Sequence, residues 1–334
     1  MLFILRAFIL LLLALLMAVM TLWGALALWF QLRVSDLLRA GGAGVFALLG
    51  IGCILTLATR ARIRGLAVFA VTLLCVALWW RGITPPTDGD WSPDVARQVT
   101  GVIKNNQLTL TDVRNFTWRT PKDFTPGWDT RTYDLATLTG VDLFMSYWDD
   151  SGIAHMIVSF GFENDTYIAW SVEVRRKIDS TYSPVADMFK AHTLSLVAAD
   201  ERDVVGTRTN ARGEDVRLYR LNTDPETARA LLERYVRKAN ALAQEPQWYN
   251  SIFTNCTTVV FDMVRQMIST VPLDWRVFLN GYLPDYAYDQ GVLDSRLSFE
   301  ELRDAADIVP AAKAHGLEPG FSHAIRQSVP DPRN

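Results

Sequence analysis

Hydrophobic positions follow two regimes along the chain. Up to Ile83 they run together, and residues 7–32, 41–59 and 65–80 are almost unbroken apolar stretches. The first is long enough to cross about 30 Å of hydrocarbon as a helix. The third reaches that length if Arg81 snorkels and Ile83 extends it. Beyond Ile83 the apolar residues alternate with polar ones. In residues 152–162, Met156, Val158, Phe160 and Phe162 take one face, and His155, Ile157, Ser159 and Gly161 the other. Residues 163–166 read as a turn and 167–174 as the returning strand of a hairpin. Residues 141–148, 194–198, 204–207 and 216–221 read as further strands.

The period then changes. Leu231, Leu232, Tyr235, Val236, Ala239 and Leu242 recur at helical spacing, after Thr223 and Glu226 at capping-box distance and Pro225 at an early position. Val260, Met263, Val264 and Met267 form a second stripe, behind Asn255-Cys256. Residues 84–90 read as a linker, 91–105 as a helix opened by Ser92-Pro93, 115–134 as an ordered loop anchored by aromatics, and 299–306 as a short helix. The expected class is therefore α+β. Residues 1–82 form a three-helix transmembrane anchor, and 83–114 a linker and helix. Residues 115–334 form an extracytoplasmic domain, an antiparallel sheet packed against helices, with a C-terminal extension.

Charge orients this arrangement. The net charge of -3 hides two unlike parts: residues 1–82 hold seven basic groups and one acid, Asp36, so the remainder carries 26 basic and 35 acidic residues. Arg60, Arg62 and Arg64 crowd one loop and Arg6 precedes the first span, which by the positive-inside rule places both in the cytoplasm and everything after Ile83 outside. Ala25-Leu26-Ala27 resembles a signal cleavage site, but the apolar run is too long for a signal peptide and two more follow. The spans carry no internal ionisable residue, so they read as an anchor rather than a transport path. The acidic outer part offers no basic field for nucleic acid.

Cys256 is the one cysteine outside the apolar runs that hold Cys53 and Cys75, so no disulfide framework is available. With Thr254 or Asn255 as N-cap, its thiol sits in a first helical turn, where the dipole favours thiolate. That setting suits a nucleophile, and equally a small buried core residue. A nucleophilic thiolate needs an imidazole. His155, at the start of a strand, is the candidate; His192 lies in a connection, and His315 and His323 in the tail. Glu173 would orient His155 if the hairpin register puts the two on one face, and otherwise pairs with Arg175 or Arg176. Asn255 or the Cys256 N–H would stabilise an oxyanion, although capping alone also accounts for Asn255. Tyr249, Asn250, Ser159 and Arg175 are the candidate substrate contacts. The scattered histidines and the missing metal and phosphate-loop motifs point to neither a metal nor a cofactor.

Asn255-Cys256-Thr257-Thr258 after Tyr249-Asn250, His155 followed by Ser159-Phe160, Trp170 to Arg176, Glu201-Arg202-Asp203 and Tyr219-Arg220-Leu221 together resemble the bacterial family that includes the Lnb lipoprotein transacylases. The resemblance runs from about Asn115 to Phe299. It implies a thiol-dependent enzyme with Cys256 as nucleophile and His155 as base. It also implies a permuted papain-like fold, distantly like the lecithin:retinol acyltransferase group, at the outer face of the bacterial inner membrane. The expected partner is a membrane lipid or lipoprotein, and the expected reaction acyl transfer or lipid-ester hydrolysis. A cysteine peptidase or amidase acting on peptide or cell-wall bonds, and a non-catalytic periplasmic binding module, are the competing readings.

Overall fold

The computed structural model describes residues 1–148 and 152–333, leaving Asp149, Asp150, Ser151 and Asn334 outside the described residues. The chain divides into two compact units: Met1–Pro86 with Ser183–Ala191, and Thr87–Tyr182 with His192–Asn334.

The first unit contains α1 (Leu2–Gln31), α2 (Asp36–Thr56) and α3 (Arg62–Arg81). All three are long and apolar enough to cross a membrane. Because lipid is as apolar as the helix surfaces, their packing depends on close approach. A Cβ on Gly24 would lie 2.4 Å from the Phe46 ring, and one on Gly50 would lie 2.3 Å from Thr21 Oγ1. Met17, Cys53, Leu57 and Phe69 fill the space between. Residues 183–191 belong to this unit. Gln31 Nε2 donates to the Phe189 and Lys190 carbonyls at 2.7 Å, Lys190 Nζ donates to Trp80 O at 2.7 Å, and the Phe30 and Phe189 rings stack at 5.5 Å.

The second unit carries β1 (Thr100–Lys104), β2 (Gln107–Arg114), β3 (Thr117–Trp118), β4 (Phe124–Thr125), β5 (Trp128–Asp134), β6 (Leu138–Tyr147), β7 (His155–Phe162) and β8 (Thr166–Arg175). The chain then passes through α4 (Pro184–Asp187) of the first unit and returns as β9 (Thr193–Ala199), α5 (Glu201–Val204) and β10 (Asp215–Arg220). Helices α6 (Pro225–Gln244), α7 (Cys256–Met267), α8 (Leu283–Asp289), α9 (Phe299–Ala305), α10 (Val309–His315) and α11 (Phe321–Ala324) complete it. The main sheet has the order β1-β2-β9-β8-β7-β6-β10, antiparallel except where β2 meets β9, with β5 added on β2.

Sheet alternation feeds two cores. Met156, Val158 and Phe160 pack with Leu232, Tyr235 and Val260 on one face. Ile157, Phe144 and Val197 pack with Ile308 and Phe321 on the other. Both faces of β7 are therefore buried. Asn164 and Asp165, with φ of 57° and 53°, close the β7–β8 hairpin, a backbone conformation Asn and Asp tolerate better than most residues.

Four local expectations give way. The proposed helix over 91–105 is a single turn at Pro93–Val95 followed by β1, because Val102 and Ile103 satisfy their backbone against β2. The proposed strand over 204–207 is the end of α5 and the start of a π-helical turn, Thr207–Arg212. The N-cap of α6 is Asp224, which accepts from Thr227 N at 2.8 Å, rather than Thr223. The aromatic loop expected over 115–134 contains β3, β4 and β5, with Phe116 and Phe124 stacked at 5.3 Å.

Candidate active site

Asn255 caps α7. Its Oδ1 accepts from Thr257 N at 3.0 Å and Thr258 N at 2.9 Å, while Thr258 Oγ1 accepts from Asn255 N, closing a capping box. Cys256 is thereby the first helical residue, at the positive end of the helix dipole. Asn255 Nδ2 is held by Ser251 O at 2.8 Å, so the side chain orders the helix start at both ends.

His155 opens β7. The register that sets Ile157 opposite Ser171 places Glu173 opposite His155 two residues on. His155 Nε2 lies 2.7 Å from Ser171 Oγ and 3.3 Å from Glu173 Oε1, and Ser171 Oγ donates to Glu173 Oε1 at 2.6 Å. With Ser171 donating to Glu173, the proton on His155 sits on Nε2, which leaves Nδ1 without it. Burial pushes the Cys256 thiol up. The hydrogen bond and charge of His155, with the Met156 N–H, outweigh it and hold the thiol below its ordinary value. Burial and Arg208 push His155 down, but Glu173 and Cys256 leave it above the usual imidazole range. Glu173 is pushed up by burial, yet His155, Arg208 and Ser171 hold it well below the usual carboxylate range. These opposed shifts are what a thiolate–imidazolium pair requires.

Asn280 joins the two elements. Its Nδ2 lies 2.6 Å from Ala154 O, 2.7 Å from Thr257 Oγ1 and 3.7 Å from Cys256 Sγ, while its Oδ1 accepts from Ala154 N at 2.9 Å. One amide thus pins the start of β7 to the start of α7. Gly281 N donates to Gly152 O at 2.8 Å, and a Cβ at Gly281 would meet that backbone at 2.6 Å, so the close approach needs glycine.

Cys256, His155, Glu173 and Asn255 all line a cavity of about 410 Å³, together with Tyr249 and Arg208. The other candidate substrate contacts do not line it. Ser159 is fully buried and donates to Glu201. Asn250 Oδ1 accepts from Ile252 N and Phe253 N, holding a turn. Arg175 donates to Val95 O and Ala96 O and lies over the Trp91 ring. Each is bonded within the fold and lies outside the lining of this cavity, unlike Tyr249.

Ser171, Arg208 and Asn280 also belong to the site and are absent from the residues expected there. Arg208 Nη1 donates to Glu214 at 3.0 Å and its Nη2 lies 3.8 Å from Glu173. Ser171 was legible in principle, because it shares a strand face with Glu173. Asn280 follows Cys256 by 24 residues in an irregular segment and leaves no local signal.

Glu173→Gln is expected to lower any His155-dependent turnover by about 10²-fold, since the amide cannot stabilise an imidazolium. It should also move the alkylation midpoint of Cys256 upward. Comparing pH–alkylation profiles of the two proteins checks this.

Residues 124–281 match the family model of the Lnb N-terminal periplasmic domain. The match runs from β4 through Gly281 and includes His155, Ser171, Glu173, Cys256 and Asn280, leaving out α1 to α3 and the last helices. It falls inside the stretch over which the motifs pointed to that family. Comparison with curated proteins and with solved structures gives no match. The Lnb-type match and the three membrane-length helices together describe a membrane-associated periplasmic module, and they fit an inner-membrane protein with a periplasmic domain.

Proposed function

We propose that the chain is a membrane-anchored thiol enzyme that transfers or hydrolyses an acyl group of a lipid or lipoprotein at the outer face of the inner membrane. The observation that carries this reading is that Cys256, His155 and Glu173 line one cavity, with His155 bonded to Ser171 and Ser171 to Glu173, and with the imidazole holding the thiol below its ordinary value. The order of histidine before cysteine and the antiparallel sheet accord with a permuted papain-like scheme.

In this reading the Cys256 thiolate attacks an ester carbonyl. The oxyanion meets the Cys256 N–H at the start of α7, where the helix dipole favours negative charge. Collapse breaks the C–O bond, the departing alkoxide takes the proton of His155, and a thioester remains on Cys256. An amine, alcohol or water then attacks the thioester, giving its proton to His155 and restoring the thiolate. Glu173 stabilises the imidazolium formed in each cycle.

The test is to incubate the full chain in nanodiscs with a phospholipid of defined acyl mass, quench in acid and analyse the Cys256 peptide. The expected result is one acyl mass on Cys256, released by hydroxylamine and lost in His155→Ala. Acylation by peptide esters or amides alone, with no lipid-derived adduct, would favour the peptidase reading.

A further inference from the structure

Large apolar side chains crowd one exposed strip of the second unit. Trp148, Trp275, Phe278, Leu279 and Tyr282 are each between 41% and 57% exposed. Four of them fall in the eight residues from Trp275 to Tyr282, the segment that also supplies Asn280. The strip is one neighbourhood. The Trp275 and Tyr282 rings lie 5.4 Å apart, Leu279 N donates to Trp275 O, and Tyr147, next to Trp148, donates its hydroxyl to Gly281 O at 2.9 Å. Trp148 and Phe278, both exposed, also line the Cys256 cavity. Leaving this much aromatic surface in water is unfavourable, and such patches mark interaction sites.

We infer that this strip docks on the lipid surface, with its aromatic rings at headgroup depth. Two observations select lipid over a protein partner. Tryptophan and tyrosine, with a polar tip on an apolar body, are the residues favoured at a membrane interface. Within residues 275–282 the one charged side chain is Arg276, and it is held by Asp274 at 3.0 Å and by Asp289 at 2.6 Å, so the segment presents no unpaired cation. The same chain carries three helices of membrane length, so the bilayer is present at high effective concentration. The inference does not depend on thiol chemistry. It adds a reason for this side of the cavity to lie against the bilayer: a lipid would enter past Trp148 and Phe278 without crossing water.

The experiment uses the unmodified full chain in nanodiscs containing a phospholipid with a photoactivatable diazirine high in the acyl chain. After irradiation, lipid adducts are mapped by mass spectrometry. The expected result is adducts on the peptide containing residues 275–282, besides those on α1 to α3, and none on β1, where exposed Val102 serves as the internal control. The Trp275→Ser, Phe278→Ser double variant is expected to lose at least three-quarters of the adducts on that peptide and none on the helices. Adducts confined to the three helices, with none on the peptide containing residues 275–282, would overturn the inference.

Discussion

Cys256→Ala is expected to lower acyl release from a phospholipid by on the order of 10⁴-fold or more, because no other group in the cavity can form the thioester. His155→Ala should cost about 10² to 10⁴-fold. The double variant should be no worse than Cys256→Ala alone, since a nucleophile and its base act as one unit. The fold should survive. Cys256 sits at the first position of α7, and the capping box of Asn255 and Thr258 that starts the helix does not use its side chain. Truncating the sulfur should therefore cost no more than about 1–2 kcal/mol, as for a small buried residue. Acyl release measured beside thermal unfolding separates the two effects. Unfolding of the Cys256→Ala protein would assign Cys256 to the core.

Asp203→Ala is expected to have the opposite signature, a loss of folded protein. Asp203 is fully buried and accepts four hydrogen bonds: from Arg114 Nε at 2.9 Å and Nη2 at 3.0 Å, Phe116 N at 2.8 Å and Trp118 Nε1 at 2.7 Å. Burial disfavours the Arg114 guanidinium, and Asp203, with Glu173 and Asp94, more than offsets this. Removing the carboxylate strands a buried cation and two N–H donors, at a cost of about 3–5 kcal/mol. For a domain of this size that corresponds to a fall in Tm of roughly 10 °C. Because the penalty comes from the stranded charge, replacing both partners, Arg114→Met with Asp203→Leu, should recover much of it. Thermal unfolding of the three proteins checks the order; a single variant as stable as the parent would contradict it.

This contrast explains why the motif residues split into two kinds. His155, Glu173 and Cys256 converge on the cavity. Ser159, Glu201 and Asp203 do not. Glu201 binds Arg326, which also bonds Asp142 and so fastens the C-terminal residues to the sheet. A motif in sequence records that a residue type is demanded at a position. It does not say whether chemistry or burial makes the demand, and that is why Ser159 read as a substrate contact.

Much of the site was legible because it depends on short-range rules. The N-cap of α7 follows from Asn255 and the hairpin from residues 163–166, while its register stayed open in the sequence and is decided by the pairing of Ile157 with Ser171, which puts His155 across from Glu173. Elements governed by long-range pairing were not legible. Residues 100–104 have no helical stripe strong enough to resist recruitment by β2. Val204 and Val205 read as strand by residue type, yet the caps and ion pairs of Asp200 and Asp203 wind them into a helical turn. Asn280 reaches the site through its own bonds to Ala154 and Thr257 and through the contact of Gly281 with Gly152, all between residues far apart in sequence.

The account turns on an ion pair between Cys256 and His155, and the pH dependence of Cys256 alkylation tests it most directly. The thiol is held below its ordinary value and the imidazole above its own, and both shifts favour a thiolate beside an imidazolium. In the folded full chain, the alkylation rate of Cys256 by iodoacetamide should therefore rise at a lower pH than that of an unperturbed thiol, whose pKa is about 8.5. In His155→Ala the rise should move above that value, because burial then acts on the thiol unopposed. A profile that already lies at or above 8.5 in the parent, or that His155→Ala leaves unmoved, would contradict the claim.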